Sequence, residues 1–235
     1  MMPVIFAVAN AQIPLHFGAA VGVPLTDTLS STSFVSYSSS NSSFDQYNSK
    51  TKRLLIGPVV RLDLQRGLGL EFDALYQRVN YDHAISNSFP SPPFFSQSFE
   101  QTTANRWQFP LLVQYRWTIS KIKLFAEVGP SISRIANSRS TISSITVNGS
   151  STSSNTTAIA SAGGTWAGVT AGAGIDLPFF HGHLRPEFRY SHWFLPSTSS
   201  AGWVTAGFFS LSSPIASPSF RMNQDEASFL LGLTF

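Results

Sequence analysis

From residue 13 onward the chain alternates, one residue at a time, between long apolar and small or polar side chains. Ile13, Leu15, Phe17, Ala19, Val21 and Val23 are apolar, and His16, Gly18, Ala20 and Gly22 lie between them. Successive side chains of a strand point to opposite faces, so a period of two is a strand with one apolar face. The pattern returns around Leu54 to Leu62, Leu68 to Tyr76, Trp107 to Trp117, Leu124 to Ile132, Ala167 to Ile175, Leu184 to Phe194 and Ala227 to Phe235. Eight amphipathic strands are therefore expected, and almost no helix.

The connections between these strands alternate in length. Gln65 to Gly67, Thr118 to Lys121 and Phe179 to His183 are short; 24–50, 83–105, 137–162 and 196–223 are long and rich in Ser, Thr and Asn. Glu100 falls in the second long connection on this reading. Compact soluble domains rarely hold loops of that length. Short turns at one end and long loops at the other are the asymmetry of a transmembrane barrel. The expected fold is all-β: an eight-stranded antiparallel up-and-down transmembrane β-barrel, with short periplasmic turns and four long external loops.

The charges sit on one face. Arg53, Arg61, Arg106, Arg116, Lys123, Arg185 and Arg189 lie opposite the long apolar residues, as do Asp63, Glu71, Asp73, Glu127, Asp176, Glu187 and Glu226. The two signs balance, which a narrow lumen requires, because an unpaired buried ion costs several kcal/mol or more. The inverse reading is a soluble barrel with its charges in water. Against it, the apolar face carries Trp107, Phe109, Tyr115, Trp117, Phe72 and Tyr76, with rings near strand ends, as in the aromatic girdles of membrane barrels. Pro58, Pro110, Pro130 and Pro186 fall inside strands. Each lacks a ladder donor, so a bulge or a local break in pairing is expected beside it.

Composition excludes other classes. Only 11% of residues are charged and Cys is absent, so neither a charged disordered chain nor a disulfide scaffold fits. No apolar run reaches the roughly 18 residues of a spanning helix. The excess of 15 Lys and Arg over 12 Asp and Glu is too small for a nucleic-acid surface. Residues 1–11 read as the remnant of a signal peptide, from the apolar run Pro3 to Val8 and the A-x-A pattern Ala9-Asn10-Ala11, leaving a barrel over 12–235.

Several segments resemble the small outer-membrane β-barrel family of OmpA and OmpX type. They are Phe229 to Phe235, Trp107-Gln108-Phe109-Pro110-Leu111-Leu112 with Tyr115-Arg116, Leu70 to Tyr76, and Glu127 to Ser131. The resemblance implies an integral outer-membrane location. It also implies that Phe229, Leu231, Leu233 and Phe235 form the terminal signal read by the barrel-assembly machinery.

Catalytic constellations are sparse. Ser191 and His192 are adjacent on one strand and point to opposite faces, so they cannot pair directly. His181-Gly182-His183 offers too few ligands for a specific metal site. No catalytic residue, cofactor or metal is expected. The functional expectation is a non-enzymatic envelope protein with a side-chain-filled lumen, which meets surface ligands through its loops. A narrow passive pore and a lipid A-modifying enzyme are the alternatives.

Overall fold

The computed structural model describes residues 14–38, 41–89, 94–119, 122–161, 164–194 and 223–235. Twelve strands lie among them: β1 (Leu15–Pro24), β2 (Thr32–Ser38), β3 (Asn41–Ser49), β4 (Leu55–Asp63), β5 (Leu68–Asp73), β6 (Leu75–Phe89), β7 (Phe94–Ile119), β8 (Ile122–Asn148), β9 (Ser151–Ser161), β10 (Thr165–Phe179), β11 (Gly182–Phe194) and β12 (Asp225–Thr234). The expected signal remnant, and the fourth long loop but for Asn223, lie outside the described residues.

Every ladder is antiparallel. β1 pairs with β4, β4 with β5, β5 with β7, β7 with β8, β8 with β10, β10 with β11, β11 with β12, and β12 with β1 again. The first and last strands meet at Phe17 and Phe235, whose backbones exchange hydrogen bonds of 3.2 and 2.9 Å. β5 and β6 are separated by Ala74 alone and keep one register against β4, from Val59↔Asp73 to Ile56↔Tyr76.

Three expected loops are in large part strand. β6, β7 and β8 continue far past the apolar stretch, with pairs running from Tyr76↔Trp107 to Phe89↔Phe94 and from Trp107↔Arg134 to Phe94↔Asn148. β3 pairs onto β6, β2 onto β3, and β9 onto β8, so an ordered sheet replaces the expected Ser/Thr/Asn loops. Apolar residues such as Phe44, Phe95, Phe99 and Ile145 are scattered among Ser, Thr and Asn without a continuous apolar row, which is why alternation does not reveal these segments. Ser and Thr pair readily once a neighbouring strand supplies the template. Glu100 is consequently not in a loop: it lies on β7, is 9% exposed, and accepts a hydrogen bond from Thr102 at 3.1 Å.

The four prolines interrupt pairing without shifting register. Pro58 pairs with Ala19 on one side, but on the other faces the break at Ala74, where the Ala74 N–H donates to its carbonyl at 3.1 Å. Pro110 pairs with Ser131, while the β5–β7 ladder stops at Phe72↔Leu111 and β6–β7 begins at Leu75↔Gln108. Pro130 pairs with Val169 and borders the β7–β8 gap between Pro110↔Ser131 and Val113↔Val128. Pro186 pairs with Leu231 and borders the β10–β11 gap between Gly174↔Glu187 and Leu177↔Leu184. A strand residue's N–H points to one neighbour only, so each proline keeps one ladder and opens the other. The bulge within the β7–β8 ladder lies elsewhere, between Thr103 and Asn105, opposite Asn137 at φ 52.

The two faces are chemically inverted relative to a water-soluble fold. Phe17, Ile56, Phe72, Leu111, Val113, Tyr115, Val128, Phe188 and Phe229 are all exposed, whereas Arg61, Glu71, Asp73, Arg106 and Gln114 are buried. Along β7 the outward row runs from Trp107 to Trp117 through Phe109, Leu111, Val113 and Tyr115. Ten residue steps of about 3.3 Å, at the roughly 40° tilt of barrel strands, give an apolar height of about 25 Å.

Candidate functional site: a buried cluster of opposite charges

The inward faces of β5, β8 and β11 bring together Glu71 and Asp73, Glu127, and Arg185, Glu187 and Arg189. Arg189 is the hub. Its guanidinium donates to Glu71 at 2.6 Å, Glu127 at 2.8 Å and Asp73, and stands 2.9 Å from Glu187. Arg185 donates to Glu71, lies 3.9 Å from Glu187 and 4.0 Å from Glu127, and stacks 4.2 Å over the Phe125 ring. Gln114 donates to Glu127 at 3.1 Å. Every one of these side chains is buried. Alternation puts them on one face, and antiparallel register puts them at one height, with Gly172 and Gly174 opposite Glu127 and Phe125. A Cβ on Gly172 would sit 2.8 Å from a Glu127 carboxylate oxygen, so glycine makes room for the cluster.

A second group lies toward the long-strand end. Arg106 binds Glu226 through two parallel hydrogen bonds of 2.7 and 2.8 Å, the bidentate geometry that makes such pairs strong. Glu226 also accepts from the Trp193 indole at 2.9 Å, and Arg106 donates to Ser133 and Thr28 at 2.8 Å each. A third group lies at the short-turn end. Arg61 stands 3.1 Å from Asp63 and 3.5 Å from Asp176, Arg116 donates to Asp63 at 2.9 Å, and His183 pairs with Asp176 at 2.6 Å.

Two of the fourteen expected lumen charges do not belong. Arg53 precedes β4 and is exposed, 3.5 Å from Asp27. Lys123 is exposed at the start of β8. Both lie at or before strand ends, where a long cation reaches water. Of the fourteen, five arginines and seven carboxylates remain on the inward face, and the expected one-to-one balance fails. His16 and His183, which the alternation does not mark as partners of these charges, join the short-turn group, His16 at 3.5 Å from Asp63.

Glu71, Glu127 and Glu187 each offer an oxygen within 4.8 Å of the others, a spacing that suits a cation. Arg189 contacts all three, so a guanidinium holds the place a metal would take. On the outer face of β11 and β12, Asp225 accepts from the Tyr190 phenol at 2.5 Å and sits 2.8 Å from His192 Nδ1. Ser191 turns the other way and bonds Thr170 at 2.7 Å.

With this geometry in place, the comparisons decide the family. The family described as outer membrane protein beta-barrel domain matches residues 9–197. The chain belongs to that family. Among curated proteins, none matches it. This outer-membrane barrel domain is integral to the membrane, and its outward apolar face is the surface that meets the bilayer. Its inward face holds the ion pairs where lipid does not reach.

Proposed function

We propose that the protein is a non-enzymatic outer-membrane barrel, closed to ions, that anchors a stiff external sheet at the cell surface. The wall consists of eight strands: β1, β4, the joined β5 and β6, β7, β8, β10, β11 and β12. The circuit of ladders supports this count, with β2, β3 and β9 as additions to the external extension. An eight-stranded interior is just wide enough for side chains to fill it. The observation that carries the reading is the Arg189 cluster, in which four carboxylates and two guanidiniums cross the interior between β5, β8 and β11. A cavity beside it, bordered by Thr170, Arg189 and Trp193, measures about 10 Å³, room for a single water.

The external sheet, formed by β2, β3 and β9 on the ends of β6, β7 and β8, is the surface that surface ligands would meet. Residues 1–11 are proposed as a signal-peptide remnant, and Phe229, Leu231, Leu233 and Phe235 as the signal for the assembly machinery. The non-enzymatic reading is supported by the face around His192. Its neighbours there on β11 are Tyr190 and Phe194, so among the described residues of that strand no serine shares its face. Planar-bilayer recording on the refolded protein tests the closed lumen. The expected trace has no steady conductance. A continuous ohmic current, lost on reversing a charge at the cluster, would favour the narrow pore.

A further inference from the structure

The outward face changes character abruptly at the upper edge of the apolar band on β6, β7 and β8. One rung reads Tyr76↔Trp107↔Arg134, the next Arg78↔Asn105↔Ala136, and the one above places Asn80 and Arg139 on either side of Thr103. Arg78, Arg134 and Arg139 are all exposed. Lys52, also exposed, donates its backbone N–H to the Arg78 carbonyl at 3.2 Å. None of these four cations forms an ion pair with a described residue, although Lys50, Arg53 and the interior arginines do. The bulge at Asn137 keeps the patch together, because it reverses the parity of β8 and turns Arg139 outward along with Arg134.

Strands about 4.8 Å apart, with a rise of about 3.3 Å per residue, put the Cα atoms of Arg78 and Arg134 roughly 12 Å apart. Two long side chains from such positions reach one polyatomic anion between them. A guanidinium facing hydrocarbon is costly at the bilayer midplane and nearly free at the interface. These arginines begin where the girdle of Tyr76 and Trp107 ends, at the level of lipid headgroups. On the far side of the ring, the corresponding edge carries Asp225 with its Tyr190 and His192 partners, so among the described residues the positive patch is one-sided.

We propose that Arg78, Arg134 and Arg139, flanked by Lys52, form a binding site for the phosphate groups of an outer-leaflet lipid. Planar guanidiniums match phosphate oxygens in bidentate geometry, and clustered cations beside a membrane draw anionic headgroups. The site rests on the proposed topology, with the long-strand end outside.

The test is native mass spectrometry of the refolded protein in neutral detergent, titrated with diphosphorylated lipid A, with its dephosphorylated form, and with inorganic phosphate. The wild type is expected to hold lipid A at least about tenfold more tightly than the dephosphorylated lipid, and the Arg78→Gln/Arg134→Gln/Arg139→Gln variant to lose about that preference. Lys123→Gln, at the short-turn end, should bind as the wild type does. Equal preference in the triple variant overturns the site. Inorganic phosphate that competes at similar concentrations overturns the lipid as its ligand. A wild-type protein that stays monomeric in water without detergent would instead overturn the membrane reading beneath it. The triple substitution is confined to exposed positions, and an unchanged unfolding midpoint confirms that the variant is folded.

Discussion

At the scale of single residues, the interior charges are unequal partners. Four carboxylates share Arg185 and Arg189, so each guanidinium is held by more than one anion, and Arg189 by four. Removing a hub cation leaves its carboxylates buried and mutually repelling. Arg189→Gln is expected to destabilise the barrel by about 3–5 kcal/mol, the scale for breaking a buried pair from one side. Glu187→Gln removes one anion from an acidic surplus and keeps the shape, so it should cost clearly less. Urea unfolding in lipid vesicles compares the two; equal midpoints would mean that Arg189 is not the hub.

At the scale of elements, the sheet extension proposed to lie outside the membrane is held by a different chemistry. His83 on β6 lies 2.7 Å from Asp45 on β3 and 3.7 Å from Glu100 on β7, and it stacks on Tyr47 at 4.1 Å between ring centroids. Burial disfavours the imidazolium, but the neighbouring Glu100 and Asp45 carboxylates outweigh it and raise the His83 pKa. Burial likewise pushes Glu100 up, and the neighbouring His83, Ser140 and Thr102 bring it below the usual range. The stabilisation from His83 is complete below its ordinary value of 6.5 and fades as pH rises through the raised one. That from Glu100 is present above 4.5 and fades as pH falls through the lowered one. The β3–β6–β7 region should therefore be tightest between about 4.5 and 6.5 and loosen in alkali. Amide exchange in β3, corrected for the intrinsic pH effect, should show greater protection at pH 5.5 than at pH 8.5, and His83→Gln should abolish the difference. A β3 whose protection ignores pH in the wild type would contradict this.

The same elements show what the sequence makes legible. Where one face meets lipid, as on β7 from Trp107 to Trp117, the alternation is stark and the strand can be read directly. Beyond Arg106 the outward row of β7 mixes Phe95 and Phe99 with Gln97, Gln101 and Thr103, and the inward row holds Ser96, Ser98, Glu100 and Thr102, so 94–105 gives little contrast to read. Pairing there is imposed by β6 and β8, which sequence inspection does not supply. Partners are harder still. Alternation puts Arg189 and Glu71 on matching faces, but only the register across strands makes Arg189 meet Glu71, Asp73, Glu127 and Glu187 at once. Arg53 and Lys123 mark where the alternation was carried past the strands that support it.

At the scale of the whole molecule, the ladder between β1 and β12 closes the circuit, with Phe235 beside its end. Phe235 is 62% exposed at the end of the outward row, and its backbone is tied to Phe17. Deleting it removes one ring and a rung of the β1–β12 seam, about 1–3 kcal/mol. That is small for a complete barrel, whereas a terminal assembly signal acts on the rate of insertion. Deletion of Phe235 is expected to lower outer-membrane abundance sharply while the purified protein still refolds into micelles. Normal abundance with impaired refolding would assign Phe235 to stability alone.

The central claim is that the apolar face looks into lipid and the charged face into a closed interior. The chain contains no cysteine, so nitroxide labels can be placed singly at introduced cysteines from 108 to 116 on β7. In vesicles, oxygen collisions should peak at positions 109, 111, 113 and 115. Positions 108, 112 and 114 should be shielded from both oxygen and a water-soluble nickel reagent. The reverse pattern, with odd positions shielded and even positions open to the nickel reagent, would make the apolar face a core and contradict the account.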